Sequence, residues 1–444
     1  MRKAYIALLL ILFPCILPRF KRAFPTGDLV DFGPYYTAAV LAGEHQGVGI
    51  YSGADTGKDP QNVLADTSTL FAQTASRVGV HRPFLYLYPP ILADMLIPLA
   101  HFSFVTAGNI WTIINYASLP LVALCIVGIL KLRWLSWGSL IVLVAVFSYS
   151  PVLQSLAMGQ VSVLLLLLWA CGTFCYTRGW YAASGFAFAL ATAIKLTPLI
   201  VVVPLLLLKE WKVLRGFIAS LTFLAVVMCL INTPSSLIDY FGHVVPPMSR
   251  GILLITNVSI SASIERLFLA FDHKAIAPST GDQISPILIL LGKISAAAIL
   301  GAVCILTFKK RKEMKVSDRA MIVALFAMLS ACIAPVSWQH GYSICLLALC
   351  LLWAQAVREP ITNLRLMTLF LGTLALTTYL NNIVIASILK GNATHPILDS
   401  VAMLLVPVAG IVLVLTELAA MKSPNRQKLL DGRIAFDESP VILI

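Results

Sequence analysis

Long apolar runs recur along the whole chain, and the short segments between them carry most of the charged residues. The hydrocarbon core of a bilayer is about 30 Å thick, so a helix that crosses it needs roughly 20 mainly apolar residues. Unpaired backbone groups are not tolerated in hydrocarbon, so repeated crossings favour helices. The pattern predicts an all-α polytopic membrane protein, a bundle of about twelve transmembrane helices.

Composition leaves no room for a large soluble domain. The 444 residues are 59% hydrophobic and only 12% charged, which does not fit a water-facing surface. We predict one transmembrane domain over residues 1–421, followed by a cytoplasmic tail at residues 422–444. Residues 4–17 resemble a signal peptide, but no small-residue cleavage site follows them, so we interpret this run as a retained first helix.

The net charge of +12 comes largely from short basic clusters between apolar runs, where the positive-inside rule assigns them to the cytoplasmic side. They indicate orientation, and no nucleic-acid partner is predicted. The clusters fit one alternating path through the cell membrane, with both termini in the cytoplasm. They are Lys131 with Arg133; Lys209, Lys212 and Arg215; the basic residues from Lys309 to Arg319; and Lys422, Arg426 and Lys428.

The same path assigns two long loops to the extracytoplasmic side, at about residues 21–105 and 233–285, and both carry slightly more acidic than basic residues. Residues 180–208 have a basic residue beyond each end, so they are predicted to cross twice, with a turn near Lys195 and Pro198.

Residues 84–104 are apolar enough to span the membrane, but a span there would invert every later basic cluster. Pro89, Pro90, Pro98 and the internal Asp94 also argue against a crossing. We therefore predict a juxtamembrane element in the first outer loop, either interfacial or re-entrant.

Asp31 lies just outside the first predicted span, close to Tyr35 and Tyr36. Partial burial raises the pKa of a carboxyl group, so an aspartate in a membrane-adjacent cleft is a candidate general base. Asp28 is the rival for this role. The alternative is a helix N-cap or a solvated acid.

A second segment, Arg82 followed by Tyr88, Pro89 and Pro90, ends the first loop. It is a candidate groove for a lipid chain, with Arg82 near the headgroup. Tyrosine and proline at an interface also serve as simple anchors.

Lys195 is flanked by apolar residues on both sides, at the turn between two short spans, and Gln160 follows Gly159 at the outer end of an earlier span. A lysine at membrane depth is costly unless it meets an anion or lines a wet cavity, which favours a functional role. The alternative is snorkelling to the outer surface.

Asn257 in the second loop and the later outer turn carry further polar residues. Trp338, Gln339 and His340 in that turn are candidates for binding sugar hydroxyls or a phosphate, although a lone histidine is commonly structural. The sequence has no Walker loop, no dinucleotide glycine motif, no HExxH and no DxD, and its nine cysteines lie in apolar runs. Nucleotide-dependent chemistry and a metal site are therefore not predicted.

Together these segments resemble glycosyltransferase family 87, over about residues 28–345. The order and spacing of short motifs carry the resemblance. The motifs are Asp31 with Tyr35 and Tyr36; Tyr88-Pro89-Pro90; Gly159-Gln160; Ala193-Ile194-Lys195-Leu196-Thr197-Pro198; Asn257-Val258-Ser259; and Trp338-Gln339-His340. The outer turn departs from the pattern, because relatives often have a second histidine there.

The resemblance implies a GT-C membrane fold and transfer of a hexose, with mannose as the expected sugar, from a polyprenyl phosphate donor to an extracytoplasmic glycan or glycolipid acceptor. It implies an inverting reaction without metal or nucleotide cofactor. Asp31 would be the base; Lys195, Arg82 and His340 would meet the phosphate; Tyr88, Pro89 and Pro90 would hold the lipid; and Tyr35, Tyr36, Gln160, Asn257, Trp338 and Gln339 would contact sugar or acceptor. The rival hypotheses are a transporter or flippase for a lipid-linked saccharide, and a ligase that moves a preassembled glycan.

Overall fold

The structure is a computed structural model that describes residues 29–52, 67–81, 84–231, 234–251, 253, 257–271, 285–358, 362–377 and 396–421. Within these ranges the chain is helical, and extended segments pair only at one isolated antiparallel bridge, between Asn257 and Trp338. The predicted first helix at residues 4–17 and the tail at residues 422–444 lie outside the described residues.

The α-helices are numbered here in chain order. They are α1 (Phe32–Gly43), α2 (Leu70–Arg77), α3 (Pro90–Ala100), α4 (Phe104–Ile129), α5 (Trp137–Ser148), α6 (Ser150–Met158), α7 (Ser162–Thr177), α8 (Tyr181–Ile194), α9 (Val202–Leu207), α10 (Trp211–Ile231), α11 (Pro234–Asp239), α12 (Val245–Arg250), α13 (Ile260–Phe271), α14 (Pro286–Lys310), α15 (Val316–Ile333), α16 (Cys345–Arg358), α17 (Asn363–Leu376) and α18 (Pro396–Ala420). Short 3-10 helices at Gly47–Tyr51, Thr197–Val201, Arg311–Glu313 and Gln339–Ile344, and a π-helical turn at Tyr240–Val244, connect some of them.

Six helical segments among the described residues are long and apolar enough to cross a membrane, and α5 with α6 makes a seventh if this pair, bent by 45°, is one span. Shorter apolar helices, including α7, α8 and α17, accompany them. The helical membrane class is thus confirmed, whereas the number of twelve spans stays a prediction.

The segment at residues 84–104 contains α3, a helix of 11 residues. At 1.5 Å per residue it is about 16 Å long, which is too short to cross the hydrocarbon core. It packs against α1. This length agrees with the predicted non-spanning element, and its position at the membrane interface stays a prediction.

The segment at residues 180–208 is broken at Lys195. Helix α8 ends at Ile194, and the chain resumes with the 3-10 helix Thr197–Val201 and α9. The far ends of both arms lie together, because the Nζ of Lys212, at the start of α10, is 5.4 Å from the centroid of the Tyr181 ring, at the start of α8. The chain therefore runs to Lys195 and back.

Basic residues collect at the end of the bundle opposite Lys195. There Arg319 at the start of α15 pairs with Glu210, N–O distance 2.5 Å, and Tyr176 at the end of α7 donates to the same carboxylate at 2.7 Å. Arg358, the last residue of α16, donates to the carbonyl of Leu130 at 2.8 Å. These contacts define a basic end, and the segments that follow α8 and α15 line a cavity.

Candidate active site

A cavity of about 440 Å³ opens at the end of the bundle opposite the basic residues, within the size range of small-molecule sites. Asp31 before α1, the segment leading to Tyr88, the end of α6, the break at Lys195, the π-helical turn with α12, and residues 334–340 surround it. Asp31 is the only carboxylate among the described residues that line it. The lining is otherwise mostly apolar, with a few polar groups.

Asp31 occupies the N-cap position of α1, yet its side chain makes no capping hydrogen bond. Its backbone N–H donates to the carbonyl of Met158 at 3.0 Å, which fixes the start of α1 against the end of α6. The Oδ2 atom is covered by protein and has no hydrogen-bond partner within the described residues. The carboxylate is thus held in place while one of its oxygens is uncommitted.

Gly159 allows this close approach between α6 and Asp31. Its φ of +72° lies in the left-handed region, and a Cβ there would come within 3.0 Å of the Phe32 Cβ. Trp111 donates from Nε1 to the Gly159 carbonyl at 2.7 Å. The turn places the next residue, Gln160, beside Asp31.

Gln160 connects two tyrosines to the aspartate. The hydroxyl groups of Tyr35 and Tyr88 both donate to Oε1 of Gln160, at 2.7 Å and 3.0 Å. A carboxamide oxygen has two lone pairs, so these bonds occupy it and leave the amide NH₂ to other groups. Asp31, Tyr35, Tyr88 and Gln160 are here called the Asp31 wall.

The pKa of Asp31 is raised to about 6, chiefly because burial disfavours the charged form. A side-chain hydrogen bond from Gln160 and the positive charge of Lys195 act in the opposite direction and limit the rise. The carboxyl group is therefore ionised at neutral pH but much more basic than an exposed aspartate.

Lys195 lies at the break after α8, half-buried, and lines the cavity. Its Nζ is 5.7 Å from the centroid of the Tyr88 ring, a cation–π contact. No ion pair of Lys195 is present within the described residues. A lysine in this setting has its charge available for an anionic ligand.

Trp338, Gln339 and His340 line the cavity together with Gln154 of α6. The Nε2 of Gln154 donates to the Oε1 of Gln339 at 2.7 Å. Three buried atoms of this group have no hydrogen-bond partner among the described residues: Oε1 of Gln154, Nε2 of Gln339 and Nε2 of His340. These four residues are here called the outer-turn wall.

Sequence reasoning missed Gln154. The available signal was a glutamine within an apolar run next to Gly159-Gln160, since an amide at membrane depth needs a partner.

Asn257, predicted to contact sugar, is fully buried and does not line the cavity. Its Oδ1 accepts from the backbone N–H of Ser337 at 2.8 Å and of Ser259 at 3.1 Å, and Arg266 donates to its carbonyl at 2.7 Å. Asn257 thus joins the second outer loop to the residue before Trp338. Its amide positions the outer-turn wall in this structure.

Three further predicted residues do not line the cavity: Tyr36, Pro89 and Pro90. The Tyr36 hydroxyl donates to the carbonyl of Phe102 at 2.6 Å, and the two prolines are buried at the start of α3. Tyr88 from the same motif does line it. Arg82 and Asp28 lie outside the described residues, so their predicted roles stay predictions.

The described residues contain no group of three or more His, Cys, Asp or Glu side chains placed to hold a metal ion.

The chain is similar to known proteins over more than half of its length. The family model described as glycosyltransferase family 87 matches residues 86–334, more than half of the chain. That range contains Tyr88, Gln160 and Lys195, begins after Asp31 and ends before Trp338.

A curated relative from Mycobacterium tuberculosis (strain ATCC 25618 / H37Rv) is 23% identical over 280 residues, which is 60% of this chain. Its name is polyprenol-phosphate-mannose-dependent alpha-(1-2)-phosphatidylinositol mannoside mannosyltransferase. The match spans 60% of that relative's own length.

The fold and the match together define a class: a helical membrane protein of a glycosyltransferase family. The chain belongs to glycosyltransferase family 87.

Proposed function

We propose that the protein transfers a hexose, with mannose as the expected sugar, from a polyprenyl phosphate donor to an extracytoplasmic glycan or glycolipid acceptor. The observation that carries the proposal is the presence of Asp31 and Lys195 in one cavity, a carboxylate of raised pKa and a half-buried cation. The donor in the relative's name, polyprenol-phosphate-mannose, supports the choice of lipid and sugar.

Asp31 serves as general base in this proposal. Its uncommitted Oδ2 takes the proton from an acceptor hydroxyl while the oxygen of that hydroxyl bonds to the anomeric carbon of the donor sugar. The bond between the anomeric carbon and the phosphate oxygen breaks, and its electron pair leaves with the phosphate. A single displacement inverts the anomeric centre, and the lone carboxylate of the described lining supports this route over a double displacement, which needs a second nucleophile.

Lys195 stabilises the charge that develops on the departing phosphate. An ammonium group preorganised in a site with little water acts strongly on such charge. His340 and Arg82 are proposed to assist, His340 through its unpartnered Nε2. The phosphate is the leaving group, so the proposal requires neither nucleotide nor metal.

The lipid chain is proposed to follow the apolar side of the cavity. Its apolar lining includes Phe84, Leu85, Leu87, Val244, Val245 and Met248, and the Tyr88 ring centroid is 5.7 Å from the Lys195 Nζ. These side chains offer apolar surface in the cavity that contains the cationic centre. We infer that the cavity faces the extracytoplasmic side, because basic residues collect at the opposite end of the bundle.

The deciding experiment uses the full chain in proteoliposomes with radiolabelled polyprenyl phosphomannose and a mannosyl glycolipid acceptor. We expect the label to appear in a product one hexose heavier, with free polyprenyl phosphate released in equal amount. Movement of intact donor between leaflets without a new glycosidic product would contradict the proposal and favour a flippase. A product heavier by more than one sugar would favour a ligase.

A further inference from the structure

We propose that Gln154 and Gln339 form a subsite for two neighbouring hydroxyl groups of a saccharide. The proposal rests on the proposed function, since it names what part of a substrate this side of the cavity recognises. It assigns a role to Gln154, a residue of α6 that bonds Gln339 of the outer turn.

The two side chains form one unit. Gln154 comes from α6 and Gln339 from the start of a 3-10 helix 185 residues later, and their amides meet at 2.7 Å. Both line the cavity that contains Asp31 and Lys195. Gln339 is 2% exposed, so its amide is almost completely desolvated.

This hydrogen bond leaves one acceptor group and one donor group of the two amides without a partner among the described residues. Each carboxamide carries one carbonyl oxygen and one NH₂ group, and the shared hydrogen bond uses the NH₂ of Gln154 and the oxygen of Gln339. The Oε1 of Gln154 and the Nε2 of Gln339 have no partner within the described residues. Exchanging oxygen and nitrogen in both amides gives the same inventory, so the result does not depend on their assignment.

Burying a polar atom without a partner is unfavourable, so this pair gains from a ligand that supplies both missing bonds. Both atoms are covered by protein in the structure. The terminal torsion of glutamine is soft, so the proposed subsite requires a rotation of these amides that brings the free atoms to a ligand in the cavity.

The donor and acceptor together identify the ligand's chemistry. A hydroxyl group both donates and accepts, so two hydroxyls on adjacent carbons satisfy both atoms at once. A phosphate or carboxylate only accepts and would leave the Gln154 oxygen unpaired, and an ammonium group only donates. The amide pair therefore suits a neutral polyol, while Lys195 is the cationic group of the same cavity.

Two sources can supply such hydroxyls, the sugar of the donor and the sugar of the acceptor. The test measures binding to the full chain in nanodiscs, using polyprenyl phosphate, polyprenyl phosphomannose and a mannosyl glycolipid as probes. The difference in affinity between the first two lipids isolates the contribution of the donor sugar, and the third probe reports the acceptor.

In Gln154→Met and Gln339→Met we expect about a tenfold loss of affinity for one sugar-bearing probe, the usual effect of losing buried hydrogen bonds to a neutral ligand. Polyprenyl phosphate affinity should stay unchanged, which also verifies the fold. Loss for polyprenyl phosphomannose assigns the subsite to the donor, and loss for the glycolipid assigns it to the acceptor.

Gln339→Glu keeps the side-chain shape but replaces the free donor by an acceptor, whereas Gln154→Glu removes the donor of the bond between the two amides. The same loss is expected in both variants. Unchanged affinity for both sugar-bearing probes, or equal weakening of all three probes in the Met and Glu variants alike, would overturn the subsite. These are binding measurements, so they test the subsite independently of transfer. If the sugar contribution to affinity depends on Gln154 but the proteoliposome experiment yields no transfer product, the subsite stands and only the proposed function is contradicted.

Discussion

The two walls of the cavity use their polar groups differently. On the Asp31 wall, the hydroxyls of Tyr35 and Tyr88 are both donated to Gln160, and the atom left over is one carboxylate oxygen. On the outer-turn wall, Gln154, Gln339 and His340 each keep an unpaired buried atom among the described residues. A group that moves a proton must be held in one geometry, whereas groups that recognise a ligand keep hydrogen-bonding capacity for it.

The largest effect on transfer is expected when the carboxylate of Asp31, on the Asp31 wall, is replaced by a group that cannot act as a base. Asp31→Asn keeps the size of the side chain but removes its ability to accept a proton, so transfer should fall by about 10²- to 10⁴-fold. The measurement is product formation in proteoliposomes, with Glu44→Gln, an exposed acid that pairs with Arg77, as the control. Wild-type rates in Asp31→Asn would remove the general-base assignment and bring Asp28 forward.

Lys195 lies between the two walls, and its replacement separates charge from recognition. In Lys195→Met we expect transfer to fall by about 10²-fold, because one preorganised donor to the leaving phosphate is lost. Affinity for polyprenyl phosphate should fall as well, unlike in the Gln154 variants. Lys293→Met, an exposed lysine of α14, is the control. Equal transfer by the Lys195 and Lys293 variants would show that another cation meets the phosphate.

Gly159→Ala tests whether the Asp31 wall depends on its backbone geometry. A left-handed conformation costs a non-glycine residue about 1–3 kcal/mol, and the new Cβ would also press on Phe32. We expect a lower Tm in detergent and reduced transfer. Gly179→Ala is a matched comparison, since φ is +77° there but no atom lies within 4 Å of the added Cβ. If both variants lose the same stability and keep full transfer, close packing at Gly159 is not needed.

The smallest effect concerns the pH dependence of transfer. Protonated Asp31 cannot act as base, so the rate should decrease as the pH falls through about 6, the raised pKa of this carboxyl group. In Gln160→Leu the hydrogen bond that lowers this pKa is lost, so the pKa rises and the acidic limb of the pH–rate profile moves to higher pH. Gln73→Leu, an exposed glutamine of α2, should leave the profile in place. A shift to lower pH in Gln160→Leu would contradict the arrangement.

Much of the fold follows from the apolar pattern and the distribution of charge. Counting apolar runs alone makes residues 84–104 a span, whereas the charge pattern makes them non-spanning, and the structure has only the short helix α3 there. The same reasoning placed Asp31, Gln160, Lys195 and His340 on one face, and all four line one cavity. Long-range charge balance is readable from a sequence because it sums over many residues.

The role of an individual amide was not readable in this way. Asn257 and Gln160 were both predicted to contact sugar. In the structure Asn257 bonds Ser337 away from the cavity lining, whereas Gln160 lines the cavity and accepts from two tyrosines, and its sugar contact stays a prediction. Ser337 is 80 residues from Asn257 along the chain, and Tyr35 is 125 residues from Gln160, so the local sequence does not indicate either pairing. Whether an amide faces ligand or protein depends on which distant neighbours the fold supplies.

The hydrogen bond between Asn257 and Ser337 bears on the order in which the cavity is assembled during synthesis. Asp31, Gln160 and Lys195 leave the ribosome early, but the segment from Ser337 to His340 follows only after α14 and α15 have been made. Domains generally fold as the chain emerges, N-terminal parts first. A nascent chain therefore contains Asp31 and Lys195 before it has the opposite side of the cavity, and chains that stop short of the outer turn lack part of the proposed site even though the proposed catalytic aspartate is present.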